Sequence, residues 1–300
     1  MALSTNTILG SMEWAKRFNF NRQLAIGGFK EPTITSANTV LQTILGKPFV
    51  WQFNRAITGF VASPGVQDYL LLYAWPANQA LSAGVQLIDS NGNSQVITVA
   101  GTTNATVPTW NATVGGTTPD NGVTWKNQGP IPNAVSSYSF GWIENASVQD
   151  PVSSKWIQIS NKVDLALDAA QSRPQNISAE LPGNLGVLFR LMPVPDKAYP
   201  VAITLQQDAP LVTSLNQTWA PLPDSFGYVY QLGFLSFAYE FADDSRWAPT
   251  RQRFIAALLG AAEGLTQTEV DIFLANFNAI SLDPIGRQMT LNQGMQHRQV

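Results

Sequence analysis

Carboxylates, tryptophans and arginines are the side chains that offer chemistry in this 300-residue chain. Cysteine is absent, which removes thiol nucleophiles, thiolate metal sites and disulfides together. The single histidine, His297, lies in a C-terminal stretch rich in Gln, Asn and Arg, and any Ser-His-Asp triad or histidine zinc site would have to be built around it. Asp243-Asp244, Asp164 and Asp168 invite a glycosidase or metal reading. The first pair falls where a helix should stop and the other two in a strand–turn setting, so structural roles are expected for all four. Gly27-Gly28 and Gly115-Gly116 lack the Lys-Ser/Thr that follows a phosphate-binding loop. No nucleophile and base stand at a recognisable spacing. The chain reads as a non-enzymatic protein with no catalytic residue, no metal and no cofactor.

The densest motif is Gly101-Thr-Thr-Asn-Ala-Thr-Val-Pro-Thr-Trp110, followed by Val114-Gly-Gly-Thr-Thr-Pro-Asp120-Asn-Gly122-Val-Thr-Trp125-Lys-Asn-Gln-Gly129. Asp120-Asn121-Gly122 supplies a tight turn and Val123-Thr124-Trp125 a returning strand, which together make a small β-hairpin module. Two functions fit its tryptophans. Trp110 and Trp125 either form the hydrophobic centre of a module too small to fold without them, or present indole faces that stack on sugar rings while Asp120 binds hydroxyls.

These residues need elements to position them, and the pattern supplies two kinds. Ile8, Leu9, Met12, Trp14, Ala15 and Phe18 read as a short amphipathic helix; Val40, Leu41, Ile44 and Leu45 line a second one capped near Thr35 or Ser36. Strands are expected over 49–54, 57–61, 69–75, 85–89, 95–99, 123–125, 138–143, 156–159, 163–167, 186–191 and 199–205, with Asn91-Gly92 as the strongest hairpin signal. The uninterrupted apolar run Tyr69–Trp75 suits a strand buried on both faces or packed at an interface. A helical block closes the chain. Its first helix should begin near Asp224 and stop at Asp243-Asp244-Ser245. A second carries Pro249 in its first turn and a stripe of Phe254, Ile255, Leu258, Leu259 and Ala262, with Arg246, Arg251 and Arg253 outside that stripe. A third opens on the capping-box pattern Thr266-Gln-Thr-Glu269.

The expected fold class is therefore α+β: an antiparallel sandwich-like or barrel-like β body flanked by N-terminal helices and a C-terminal three-helix layer. Its parts are N-terminal helices over 1–48, a β domain over 49–210 carrying the hairpin module 101–132, the helical layer over 211–280 and an extended tail over 281–300. Only 12% of residues are charged, about half the usual ~25%, so neutral Asn, Gln, Ser and Thr must cover the surface. Such surfaces suit permanent assemblies, where buried charges would cost desolvation. A net charge of −3 argues against a nucleic-acid-binding body. No basic start with a sustained apolar run marks a secretory signal, and no apolar stretch has the length of a membrane helix, so synthesis and folding in a cytoplasm are expected.

The 101–129 module resembles a short element of bacteriophage virion proteins, with the shape Pro-x-Trp, Gly-x-Thr, Asp-Gly, Thr-Trp and a closing Gly; here Asn121 is inserted between Asp120 and Gly122. The run Leu222-Pro-Asp-Ser-Phe226, followed by Tyr230, Phe234, Phe237 and Tyr239, resembles the opening of a helix in phage head-to-tail adaptor proteins. The resemblance implies a virion structural protein, a connector or adaptor ring subunit at the portal vertex. Its partners would be copies of itself in a ring of about twelve by that resemblance, the portal protein and a tail or nozzle protein. DNA would only pass through the lumen, and no membrane is involved. Candidate contacts with ring neighbours or portal are Arg246, Trp247, Arg251, Arg253, Arg287 and Arg298. The alternative is a glycan-binding, adhesive virion surface module built on Trp110, Asp120 and Trp125.

Overall fold

Thr7 opens the first helix by accepting a hydrogen bond from Gly10 N through its hydroxyl at 3.0 Å. The structure, a computed structural model, describes residues 5–18, 33–162, 167, 170–242 and 244–279. It is α+β. The chain divides into a helical unit, Met1–Asn54 with Ala209–Val300, and a β unit, Arg55–Asp208. The expected tail over 281–300, most of the expected strand over 163–167, and Asp164, Asp168, Asp243, Arg287, His297 and Arg298 lie outside the described residues.

The helical unit contains α1 (Ile8–Lys16), α2 (Thr33–Leu45), α3 (Gly227–Phe241), α4 (Trp247–Ala261) and α5 (Gln267–Ala279). Their apolar stripes meet in one core that includes Val40, Leu41, Ile44, Trp219, Phe234, Phe254 and Phe273. Trp219 is fully buried, stacks on Tyr230 at 4.7 Å and donates its indole N–H to Ser11 Oγ at 2.7 Å. Gly233 lets three helices approach: a β-carbon there would come within 2.8 Å of the Phe254 ring and 3.0 Å of Val40. The capping box of α5 forms as its pattern requires. Thr266 N donates to the Glu269 carboxylate at 2.8 Å, and Glu269 N donates to the Thr266 hydroxyl at 3.3 Å.

Two expectations are corrected here. Asp224 does not cap α3: residues Asp224–Phe226 form a 3-10 turn, and α3 starts at Gly227. The Asp224 carboxylate instead accepts from Thr5 N at 3.3 Å and Asn6 Nδ2 at 2.9 Å. It can do so because the N-terminal segment runs beside residues 215–219, with Ile8 N donating to Gln217 O and Trp219 N to Asn6 O. Residues 49–54 are not a strand either; they end in a 3-10 turn at Gln52–Asn54. Phe49, Trp51 and Phe53 stack in series at 5.8 Å and pack on the helical core, and Trp51 donates to the α2 carbonyl of Ile44 at 2.6 Å. Their alternation was real, but its partner is a set of helices rather than a sheet.

The β unit contains β1 (Arg55–Ala62), β2 (Asp68–Leu72), β3 (Ala80–Leu81), β4 (Gln86–Ile88), β5 (Asn93–Val99), β6 (Gly101–Thr102), β7 (Thr117–Asp120), β8 (Val123–Pro130), β9 (Trp142–Gln149), β10 (Trp156–Asn161), β11 (Asn176–Pro182), β12 (Gly186–Met192) and β13 (Tyr199–Gln206). Eleven of these form one sheet in the order β1-β13-β9-β10-β11-β12-β2-β4-β5-β8-β7, and β3 pairs with β6. All pairings are antiparallel except β10 with β11 and β2 with β4. The expected strand over 138–143 starts only at Trp142, and β11 has no counterpart in the sequence reading. The hairpin at Asn91-Gly92 is present between β4 and β5, with Gly92 at φ 79°. The apolar run at 69–75 does bury both faces: Tyr69 and Leu71 enter one core, and Leu70 and Leu72 enter another.

Seven strands from β1 round to β2 curl about the first of those cores, yet no backbone ladder joins β1 to β4. One side chain spans that gap. The Gln86 amide donates to Val61 O at 3.0 Å and accepts from Val61 N at 3.1 Å, as a neighbouring peptide group would. Gln86 is 2% exposed, so its loss would leave a buried N–H and C=O unpaired. Gln86→Leu should lower the stability of the β unit by on the order of 2–4 kcal/mol in urea unfolding. A loss below about 0.5 kcal/mol would show that water replaces the amide.

Tyrosines add a pH limit. Burial pushes the Tyr69 hydroxyl up to about 12, while it donates to Val66 O at 2.6 Å. Burial likewise raises Tyr199 to about 12, and the Tyr199 hydroxyl donates to Asp196. Both values exceed the ordinary tyrosine value of 10.0, so their contribution is complete below that pH and is lost as pH rises through about 12. The β unit should therefore lose stability between pH 10 and 12, and a Tyr69→Phe, Tyr199→Phe pair should flatten that decline in pH-dependent unfolding.

Candidate functional site

The sequence motif 101–129 builds a buried polar cluster in the β unit. β7 and β8 form its hairpin, and Asn121 takes the left-handed conformation, φ 54°, at the turn. The turn holds Asp120 against two indoles. Asp120 Oδ2 accepts from Trp75 Nε1 at 2.8 Å and Trp125 Nε1 at 3.0 Å, while Oδ1 accepts from Asn104 N at 2.8 Å. Trp110 lies edge-on to Trp125 with ring centroids 5.8 Å apart. Around them pack Leu72, Leu81, Val85, Leu87, Ile97 and Val123.

Of the two roles open to the tryptophans, this arrangement favours the hydrophobic centre over a sugar-stacking face. Trp125 is 0%, Asp120 1% and Trp110 9% exposed. Both indole faces are covered, and both Asp120 oxygens already have donors. A carboxylate fits here because each indole N–H must be answered once it is buried, and one oxygen can answer two. The fold brings the two tryptophans together, and they form the centre of the module. Trp75 is the third participant, and its place was hidden at the end of an apolar run that gave no sign of a polar partner.

In the helical unit the six proposed interface residues separate. Arg287 and Arg298 lie outside the described residues. Arg253 is exposed and Trp247 is half-buried. Arg246 is exposed, but it clamps its neighbour: its Nε donates to Asp244 at 2.9 Å, and its guanidinium lies 4.4 Å over Tyr239. The hydrogen bond from Arg246 holds the Asp244 carboxyl down at about 2.

Arg251 does not stay outside the α4 stripe, which is a further correction. Its side chain is 8% exposed and pairs at 3.2 Å with Glu240, 9% exposed, on α3. The same guanidinium donates to Phe277 O at 2.8 Å and lies 4.3 Å over the Phe277 ring. The carbonyl of Phe277 lies in the last described turn of α5. Burial pulls the arginine below its ordinary value, and Glu240 opposes that pull. Arg251 thus ties three helices together. Arg251 stands three residues before Phe254 and shares its face of α4, but its charge argued against a place in an apolar stripe.

Among the described residues no group of three or more His, Asp or Glu side chains stands close enough to hold a metal ion, and no described helix is long and apolar enough to cross a membrane. Comparison with known protein families and with curated proteins gives no match to this chain.

Removing one partner of the buried pair should be far worse than removing both. Glu240→Gln should destabilise the helical unit by about 3–5 kcal/mol, whereas Glu240→Leu with Arg251→Met should cost less than the single change. Chemical unfolding of the three proteins measures this. Equal losses for single and double variants would mean that Glu240 does not compensate the arginine.

Proposed function

We propose that this chain is a structural subunit of a tailed-phage virion, a head-to-tail connector or adaptor ring protein at the portal vertex. The observation that carries the reading is the character of α3. Its sequence, Gly227-Tyr-Val-Tyr-Gln-Leu-Gly-Phe-Leu-Ser-Phe-Ala-Tyr-Glu-Phe241, has one charged residue, and that residue, Glu240, is already paired with Arg251. A helix apolar on all sides is normally buried on all sides. Here Tyr228 is 67% and Phe241 54% exposed in the single chain. Ile272 on α5, 56% exposed, adds to the apolar area of the same unit. Covering by further copies removes these side chains from water without burying charge.

The resemblance of Leu222–Phe226 and of the 101–129 module to phage virion proteins supplies the setting, and the low charge of the surface agrees with a permanent assembly. In this reading the helical unit makes contacts between copies, with portal and tail proteins as further partners. The protein acts by position in the virion, and DNA passes through the ring.

The test is the mass of the purified protein in solution, alone and mixed with a candidate portal protein. A ring-sized species, or a monomer that assembles on the portal, is expected. Tyr228→Lys with Phe241→Lys should abolish it while circular dichroism and the unfolding midpoint stay close to those of the parent. A monomer indifferent to the portal, with unchanged mass in the variant, would overturn the reading.

A further inference from the structure

The covered indoles of the 101–129 module leave Trp156, 36% exposed, as the most exposed of the tryptophans. It begins β10, on the outer face of the curled sheet. Alternation places Trp156, Gln158 and Ser160 on that face of β10, because Ile159 points into the core. Register places Gln149 opposite Trp156 and Ser147 opposite Gln158 on β9, and Asn145 continues the same row. The result is a row of amides and hydroxyls ending in a flat indole. From Ser160 to Trp156 the strand runs about 13 Å.

The row leads into a cleft, and the cleft has a structural cause. The β9–β10 ladder ends at Ala146 and Ile159, although both strands continue beyond these residues. On one side β9 bulges against β13 between Asn145 and Ile143, so Glu144 is the extra residue. On the other side β10 turns to pair in parallel with β11 at Ser160 and Asn161. Between the parting strands opens a solvent-connected concavity of about 450 Å³ lined by Glu144, Asn145, Gln158, Ser160 and Asn161, with Ala146 and Ile159 beneath. That size falls within the range of about 300–1,000 Å³ typical of small-molecule sites. Asn161 Nδ2 donates across the cleft to Ile143 O at 3.3 Å.

The chemistry of the lining selects the ligand. Glu144 is the only ionised group, and it is answered: Arg55 Nε donates to it at 2.7 Å and Gln206 Nε2 at 2.8 Å. An ion gains little in a site whose charge is already compensated. An apolar anchor finds no apolar pocket, because Ala146 and Ile159 are buried at 2% and 5%. Amides and a hydroxyl that both donate and accept match a ligand bearing many neutral hydroxyls. An exposed indole a few residues along matches the apolar face of a sugar ring.

We infer that the β9–β10 face, from the Glu144–Asn161 cleft to Trp156, is a binding site for a neutral oligosaccharide. This inference does not depend on the connector reading, since all its residues belong to the β unit and none is among the proposed assembly contacts.

The test uses the full chain with three neutral probes, maltohexaose, cellohexaose and chitohexaose, followed by saturation-transfer NMR and calorimetry up to about 5 mM, which covers affinities as weak as millimolar. Binding of at least one probe is expected. Trp156→Ala and Asn145→Ala should each weaken it about tenfold or more, Trp156→Phe should restore part of it, and Trp110→Phe should leave it unchanged. Absence of binding by all three probes would overturn the inference, as would binding indifferent to both alanine changes. Loss of self-association in Trp156→Ala without any saccharide signal would assign the face to contacts between copies and overturn it too.

Discussion

Buried polar groups in this protein find their partners with few charges available, and that constraint shapes both units. In the β unit the answer at the open side of the curled sheet is one glutamine. Gln86 carries a primary amide with the same donor–acceptor pair as a backbone peptide, and it meets Val61 N and O at 3.1 and 3.0 Å. A strand pairing would have served equally well in energy, but it would have closed the sheet. The side chain satisfies the same groups and lets β4 leave toward β5 and the 101–129 module. Ser94 extends the link by donating to Gln86 Oε1 at 3.1 Å.

Where charges are buried, each has several partners. Asp120 gathers two indoles and a backbone N–H. Asp89 accepts from Asn91 N, Asn93 N and Gln95 Nε2 and so fixes the β4–β5 turn. Arg251 joins a carboxylate, a helix-end carbonyl and an aromatic ring. Multiple partners are the condition under which a buried ion is tolerated, because a single contact does not offset the lost hydration. These residues therefore work as ties within the fold. The surface left over is neutral along the outer β9–β10 row, and α3 leaves Tyr228 and Phe241 exposed.

The legibility of these features follows the range of the interaction behind each. The Thr266–Glu269 box and the Asn91-Gly92 hairpin depend on neighbours a few residues away, so spacing announces them. The Phe49–Phe53 alternation has the period of a strand, yet its rings pack on helices, because period does not say which surface receives them. Asp224 has the type and place of a helix cap, but Thr5 and Asn6, distant in sequence, compete for its oxygens and win.

The candidate site divides the same way. Composition alone fixed that there is no thiol chemistry and that few charges are available. The motif indicated a tight turn at Asp120-Asn121-Gly122 with Trp125 on the returning strand, but the place of Trp110, seven residues before the hairpin, was left to the fold. Which tryptophan meets solvent was decided only by tertiary packing. Residues from β2, β4, β5 and the loop at Asn104 close over Trp125 and Asp120, and nothing local reveals them. Trp156 stays outside because register places it opposite Gln149, on the face away from the core. Arg251 turned inward for a comparable reason: only the meeting of α3, α4 and α5 supplies Glu240 and the Phe277 carbonyl at one point. Local spacing specifies the turn, cap or strand a residue joins. Whether its side chain ends in water depends on segments far along the chain, and only the assembled fold brings them together.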